Sequence, residues 1–126
     1  MQLEYLGDAS PDCPLLRLYN FTPMEAGQLL NAIAALASES AERIDVDRLP
    51  FVEPLGGCRL ALVGRSWDQA VTRACRPTLF ECGFTADTWD NVAGLVEPFA
   101  EGADGFQWLA GVPGEAALLL SVSGAW

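Results

Sequence analysis

Apolar and polar positions alternate along the chain in two similar runs. Between Leu15 and Phe21, Leu16 and Leu18 alternate with Arg17 and Tyr19, the period of a strand with one buried face. Thr22-Pro23-Met24-Glu25 then marks a helix start. A threonine at the cap accepts from a free backbone N–H, and a glutamate three residues on reaches back to the N–H of the cap. Proline at the first helical position sacrifices no helical bond. Ala26, Leu29, Leu30, Ile33, Leu36 and Ala37 follow at helical spacing, which predicts a helix to about Ser38 with its apolar stripe on a sheet. Residues 39–42 read as a loop. Arg43 to Val52 reads as a strand or strand pair interrupted by Pro50, which cannot donate to a central ladder. Pro54, Gly56 and Gly57 mark a turn, and Cys58 to Gly64 is apolar enough for a central strand. Residues 66–76 fit either a short helix capped by Ser66 or a strand leading toward a hairpin.

The second run has the same plan. Phe80, Cys82 and Phe84 share one face of a strand from Thr78 to Phe84. Thr85 caps a helix carrying Trp89, Val92, Val96 and Phe99, and Phe84 and Trp89 stand at the positions of a hydrophobic staple. Gly94 weakens this helix by about 1 kcal/mol relative to alanine, and Pro98 is expected to kink or end it. After a loop at 101–105 come a short strand from Phe106 to Leu109, a turn at 111–114 and a last strand from Ala116 to Val122. Leu3 to Leu6 adds an edge strand.

Phe21-Thr22 and Phe84-Thr85 lie half a chain apart, and at that spacing Leu29 faces Val92, Ile33 faces Val96 and Leu36 faces Phe99. The final strands align after a four-residue gap, Arg59 to Trp67 against Leu118 to Trp126. This pattern raises an internal duplication in the order βαββ–βαββ, with halves of about 15–67 and 78–126. The expected architecture is α+β: two helices on one face of a mostly antiparallel sheet of about six strands.

Composition sharpens the picture. A chain of 126 residues with 51% hydrophobic and 19% charged positions forms one globular domain. Seventeen acidic residues against seven basic ones, all arginine, leave a net charge of −10. That balance argues against nucleic acid and against an anionic membrane surface; a basic macromolecule is the partner it favours. Without histidine or lysine, Ser-His-Asp and Cys-His mechanisms, histidine-ligated metals and Schiff-base chemistry are excluded within one chain. The first residues show neither a basic region nor a continuous apolar run of signal-peptide type. A cytoplasmic protein with reduced cysteines is therefore expected.

No catalytic motif and no metal or cofactor site stands out. The four cysteines lack zinc spacing. Cys58 and Cys82 read as buried strand fillers, and Cys75, between Arg73 and Arg76, is the thiol best placed to react. Asp45 and Asp47 fall on one face of a strand with Val46 turned inward, and Glu53 follows at the turn. Such carboxylates hold a divalent metal or share a proton at some sites, but on a solvated strand face ordinary polar alternation is the far more frequent explanation. Gly64-Arg65-Ser66 offers a weak anion-binding turn at Arg65. Among the four tryptophans, Trp108 and Trp126 are the hardest to bury, and exposed aromatics anchor protein interfaces.

Three functions follow as expectations. The first is an interaction domain, an inhibitor or immunity-type binder of a basic protein through Trp108, Trp126 and an acidic rim. The second is a self-associating structural domain closing a homodimer through Trp126. The third is a small-ligand binder or enzyme using Asp45, Asp47 and Glu53 with Arg59, Arg65, Arg73 and Arg76; it requires those side chains to converge on one pocket.

Overall fold

The structure, a computed structural model, describes residues 1–8, 10–74, 78–111 and 114–126. The elements run β1 (Gln2–Leu6), β2 (Leu15–Tyr19), α1 (Pro23–Ala37), β3 (Arg43–Asp45), a 3₁₀ turn (Val46–Arg48), β4 (Glu53–Pro54), β5 (Arg59–Gly64), β6 (Ala70–Arg73), β7 (Leu79–Phe84), α2 (Ala86–Ala100), β8 (Phe106–Ala110) and β9 (Ala117–Ser121). The class is α+β in a single domain, with two helices packed against sheets. Among the described residues no helix is long and apolar enough to cross a membrane.

The helix starts form as their local chemistry dictates. The Thr22 hydroxyl accepts from the Glu25 N–H while the Glu25 carboxylate accepts from the Thr22 N–H at 2.9 Å, closing the capping box. Thr85 accepts from the Thr88 N–H. Phe84 and Trp89 meet edge to face with ring centroids 5.1 Å apart, so the staple forms. Pro98 sits inside α2, which runs two residues beyond it. The N–H that proline lacks would have bonded the carbonyl of Gly94, on an exposed stretch of the helix where water can serve instead.

The sheet differs from the expected one in composition. There are two sheets, a five-stranded one in the order β4-β1-β2-β9-β8 and a four-stranded one in the order β3-β5-β7-β6. The central pairs are parallel: β2 with β9 and β5 with β7. Each of these pairs joins strands from different halves of the chain, so short turns between consecutive strands did not reveal it. Residues 66–76 contain the strand β6, antiparallel to β7.

The two halves have matching pairings. The hairpin β1–β2 corresponds to β6–β7, and the antiparallel pair β3–β5 to β8–β9. Leu16 lies opposite Leu118 in one sheet as Phe80 lies opposite Leu60 in the other; Leu18 opposite Leu120 repeats as Cys82 opposite Leu62. Each sheet thus takes a hairpin from one half and an antiparallel pair from the other. This correspondence equates Leu60 with Leu118, one residue away from the alignment of Arg59 with Leu118. A one-residue slip would turn Leu60 and Leu62 onto the wrong face.

A single core unites the inner faces of both sheets, through Leu3, Leu16, Leu18, Leu60, Leu62, Phe80, Cys82, Leu118 and Leu120, with Leu29, Ile33 and Leu36 of α1 and Trp89, Val92 and Val96 of α2. The Trp89 indole donates to the Val63 carbonyl at 2.9 Å, tying α2 to β5. Cys58 and Cys82 are buried fillers. Burial pushes the Cys58 thiol up to about 11, with Asp47 and Glu4 adding repulsion, and pushes Cys82 up to about 12.

Candidate functional site: an aromatic edge on the five-stranded sheet

Strand alternation places Phe106 and Trp108 on the outer face of β8, away from the core, beside Ser121 and Leu119 of β9. Phe106 is 46% exposed and Trp108 half-buried. Trp108 lines a cleft of about 450 Å³ with Pro11, Asp12, Cys13, Glu115 and Ala116. Trp126 reaches the same region, where its indole donates to the Asp12 carboxylate at 3.0 Å. The chain between β9 and Trp126 is laid across the sheet's outer face. Arg17 donates to the Gly124 carbonyl at 2.8 Å, and the Ser121 hydroxyl donates to the Ala125 carbonyl at 2.6 Å. Trp126 thus reaches Asp12, which lines the same cleft as Trp108.

The acidic candidates do not converge. The strand ends at Asp45, and Asp47 belongs to the 3₁₀ turn that follows, so the two carboxylates do not share a strand face. Asp45 pairs with Arg43 at 3.0 Å. Asp47 turns inward, accepts from the Leu60 N–H at 3.0 Å and faces Arg59 at 3.6 Å, which is a structural role. Glu53 is exposed at the sheet's far edge, in β4. Arg65 is exposed, donates to Gln69 and stands 3.9 Å from Glu81, which Arg43 also contacts at 3.0 Å. Besides the Asp47–Arg59 pair, Asp45 and Arg65 are linked through that shared Arg43–Glu81 pair. Arg73 lies over the stacked Tyr5 and Phe80 rings and donates to the Tyr5 hydroxyl at 2.8 Å. Cys75 and Arg76 lie outside the described residues. Among the described residues no group of three or more Cys, Asp or Glu side chains is placed to hold a metal ion.

Five of the six arginines described are thus engaged internally: Arg17 on Glu4 at 2.6 Å, Arg43 on Asp45 and Glu81, Arg59 on Asp47, Arg65 toward Glu81, and Arg73 on its aromatic pair; the sixth, Arg48, is exposed on the 3₁₀ turn. By contrast, Glu101, Asp104, Asp12 and Glu115 around β8 are exposed and form no ion pair among the described residues.

Sequence reasoning missed Phe106 and Asp12. The spacing of Phe106 and Trp108 was a visible signal, since two aromatics at i and i+2 of a strand share a face. Asp12 carried none, because its role depends on a partner over a hundred residues away. Trp67, 60% exposed in the loop between β5 and β6, is more exposed than either tryptophan singled out.

Comparison with known proteins found no match: no family model fits the chain, and no curated protein or solved structure resembles it at a significant level.

Proposed function

We propose that this chain is a protein-binding domain that holds a basic partner on the outer face of its five-stranded sheet, at β8. The observation that carries the reading is the pairing of Phe106 and Trp108 on an edge strand, bordered by carboxylates that form no ion pair among the described residues. Aromatic side chains anchor interfaces because they bury much apolar area with few rotatable bonds. Uncompensated acids at the rim attract a basic protein and raise its association rate. With most arginines engaged internally, a net charge of −10 acts outward. An inhibitor or immunity-type protein that masks a basic enzyme is the specific form of this function.

The homodimer draws less support. Trp126, which was to close it, is engaged with Asp12 in the same chain, and two copies of charge −10 repel. The ligand-binding or enzymatic alternative needed convergent charges, and the candidates are distributed over separate elements.

The test is affinity capture from host lysate with wild type and with a Phe106→Ser/Asp104→Asn variant, both positions being exposed. Any retained protein is then purified and its complex mapped by hydrogen exchange. The expected result is a basic protein held at low salt, released at high salt, lost by the variant, and protecting residues 104–110. Retention of nothing, or equal retention by the variant, overturns the proposal.

A further inference from the structure

We infer that the partner binds by adding a strand to β8, as an extended segment with an apolar centre and arginine or lysine near its ends. This rests on the reading of β8 as the binding surface and specifies how it is used. The two sheets have four outer edges, and an unpaired strand edge is a template for another chain unless something blunts it.

Three of the edges are blunted. β4 has two residues, and one of them, Pro54, has no N–H to offer. β3 has three residues, and the chain then leaves the sheet in the 3₁₀ turn. The edge of β6 is occupied: the Glu115 N–H donates to the Val71 carbonyl at 2.8 Å, and the Glu115 carboxylate accepts from the Arg73 N–H.

β8 is different. It is five residues long. The Gly105 carbonyl accepts from the Val122 N–H at 3.0 Å, which turns the backbone groups of Gly105 and Gln107 toward β9. Alternation then turns those of Phe106 and Trp108 away from it. The Trp108 carbonyl is taken by the Gln107 side chain at 3.1 Å. Among the described residues nothing bonds the Phe106 N–H, the Phe106 carbonyl or the Trp108 N–H. An added strand would therefore find three backbone groups in register, with two aromatic rings on one side of them.

Charge identifies the occupant. Glu101 and Asp104 precede β8, and Asp12 and Glu115 border the cleft beside Trp108. An extended segment lying along β8 would meet acid at both ends and aromatic surface between. A second copy of the chain would bring the same acids and the same net charge, so a cationic segment of another protein is favoured.

The test uses a short capped peptide of alternating valine and threonine with an arginine at each end, and its analogue N-methylated at alternate residues. Methylation removes edge N–H donors and leaves the charge intact. Binding is followed on the full chain by NMR, with amide exchange read at Phe106 and Trp108. The expected result is slowed exchange at both amides with the parent peptide and at least about tenfold weaker binding of the analogue, the equivalent of one lost backbone hydrogen bond. Equal binding of both peptides, without protection of those amides, overturns strand addition and leaves the charged aromatic surface standing. Binding indifferent to salt and to Phe106→Ser overturns both. Failure of the parent peptide to bind overturns strand addition by a segment of this chemistry.

Discussion

Two glycine-to-alanine substitutions should move stability in opposite directions, and the structure says why. Gly94 lies within α2, exposed, and a Cβ built there meets nothing within 4 Å. Alanine at this position removes backbone freedom from the unfolded chain and adds no clash, so Gly94→Ala should stabilise by about 0.5–1 kcal/mol. For a domain of this size that is about 2–5 °C in Tm, or a rise of several tenths of a molar in the urea midpoint at unchanged m. Gly124 is the contrary case. Its φ is +90°, and a Cβ there would stand 2.8 Å from Tyr19 Cδ2 and 2.9 Å from Arg17 Nη1. Strained backbone and overpacking together cost about 2–4 kcal/mol unless the terminal segment lifts off the sheet. Lifting would release the Arg17–Gly124 and Trp126–Asp12 hydrogen bonds. The assay is urea unfolding followed by circular dichroism and tryptophan fluorescence. If Gly94→Ala lowers the midpoint, α2 is not the exposed regular helix described. If Gly124→Ala leaves both stability and fluorescence unchanged, the terminal segment is not seated on Tyr19.

Three further outcomes are expected. The Asp68 carboxylate accepts from the Thr85 N–H and the Thr88 hydroxyl, which lowers it below its ordinary 3.8. Its stabilising contribution is therefore present above that value and lost as pH falls through the lower folded one; Asp68→Asn should flatten the acid limb of the stability–pH curve, and parallel curves for the two proteins would refute the assignment. With Cys58 and Cys82 buried and raised to about 11 and 12, iodoacetamide at neutral pH should spare both in the native chain and modify them once it is unfolded; mass spectrometry showing either one alkylated natively would contradict the core. Because each sheet draws strands from both halves, fragments 1–66 and 67–126 should each be unfolded alone and regain native circular dichroism when mixed; a fragment that folds by itself would refute the shared core.

What the sequence revealed divides by distance along the chain. The Thr22 capping box and the Phe84–Trp89 staple were legible because their partners lie within a few residues of each other. Most strand positions were legible for the same reason, since alternation is local; the exceptions are residues 46–48, a 3₁₀ turn inside the stretch read as strand, and β4, which stands where a turn was expected. The division into two sheets was not, because β2 finds β9 and β5 finds β7 across the chain. A signal for those parallel pairs was nevertheless present. Leu15-Leu16 and Leu118-Leu119-Leu120 are apolar at consecutive positions and buried on both faces, the mark of a central strand with cover on either side. An antiparallel sheet with one wet face would have shown polar residues at every second position.

The same distinction explains the site. Surplus aromatics are a compositional fact, and Trp108 and Trp126 could be named from it; the bond of Trp126 to Asp12, on the cleft that Trp108 lines, depends on tertiary structure. The Asp45–Asp47 pair failed because alternation holds only while the strand continues, and here it stops at Asp45. Asp47 then turns its carboxylate to the Leu60 N–H, satisfying a backbone donor that would otherwise be costly to leave unpaired. By the strand correspondence, β8 is the counterpart of β3 in the other half, yet it runs two residues longer and ends without such a carboxylate. The half that blunts its edge and the half that leaves it open are built on one plan. The difference between them, Asp47 and a 3₁₀ turn on one side, Phe106 and Trp108 on the other, is where the proposed binding surface arises.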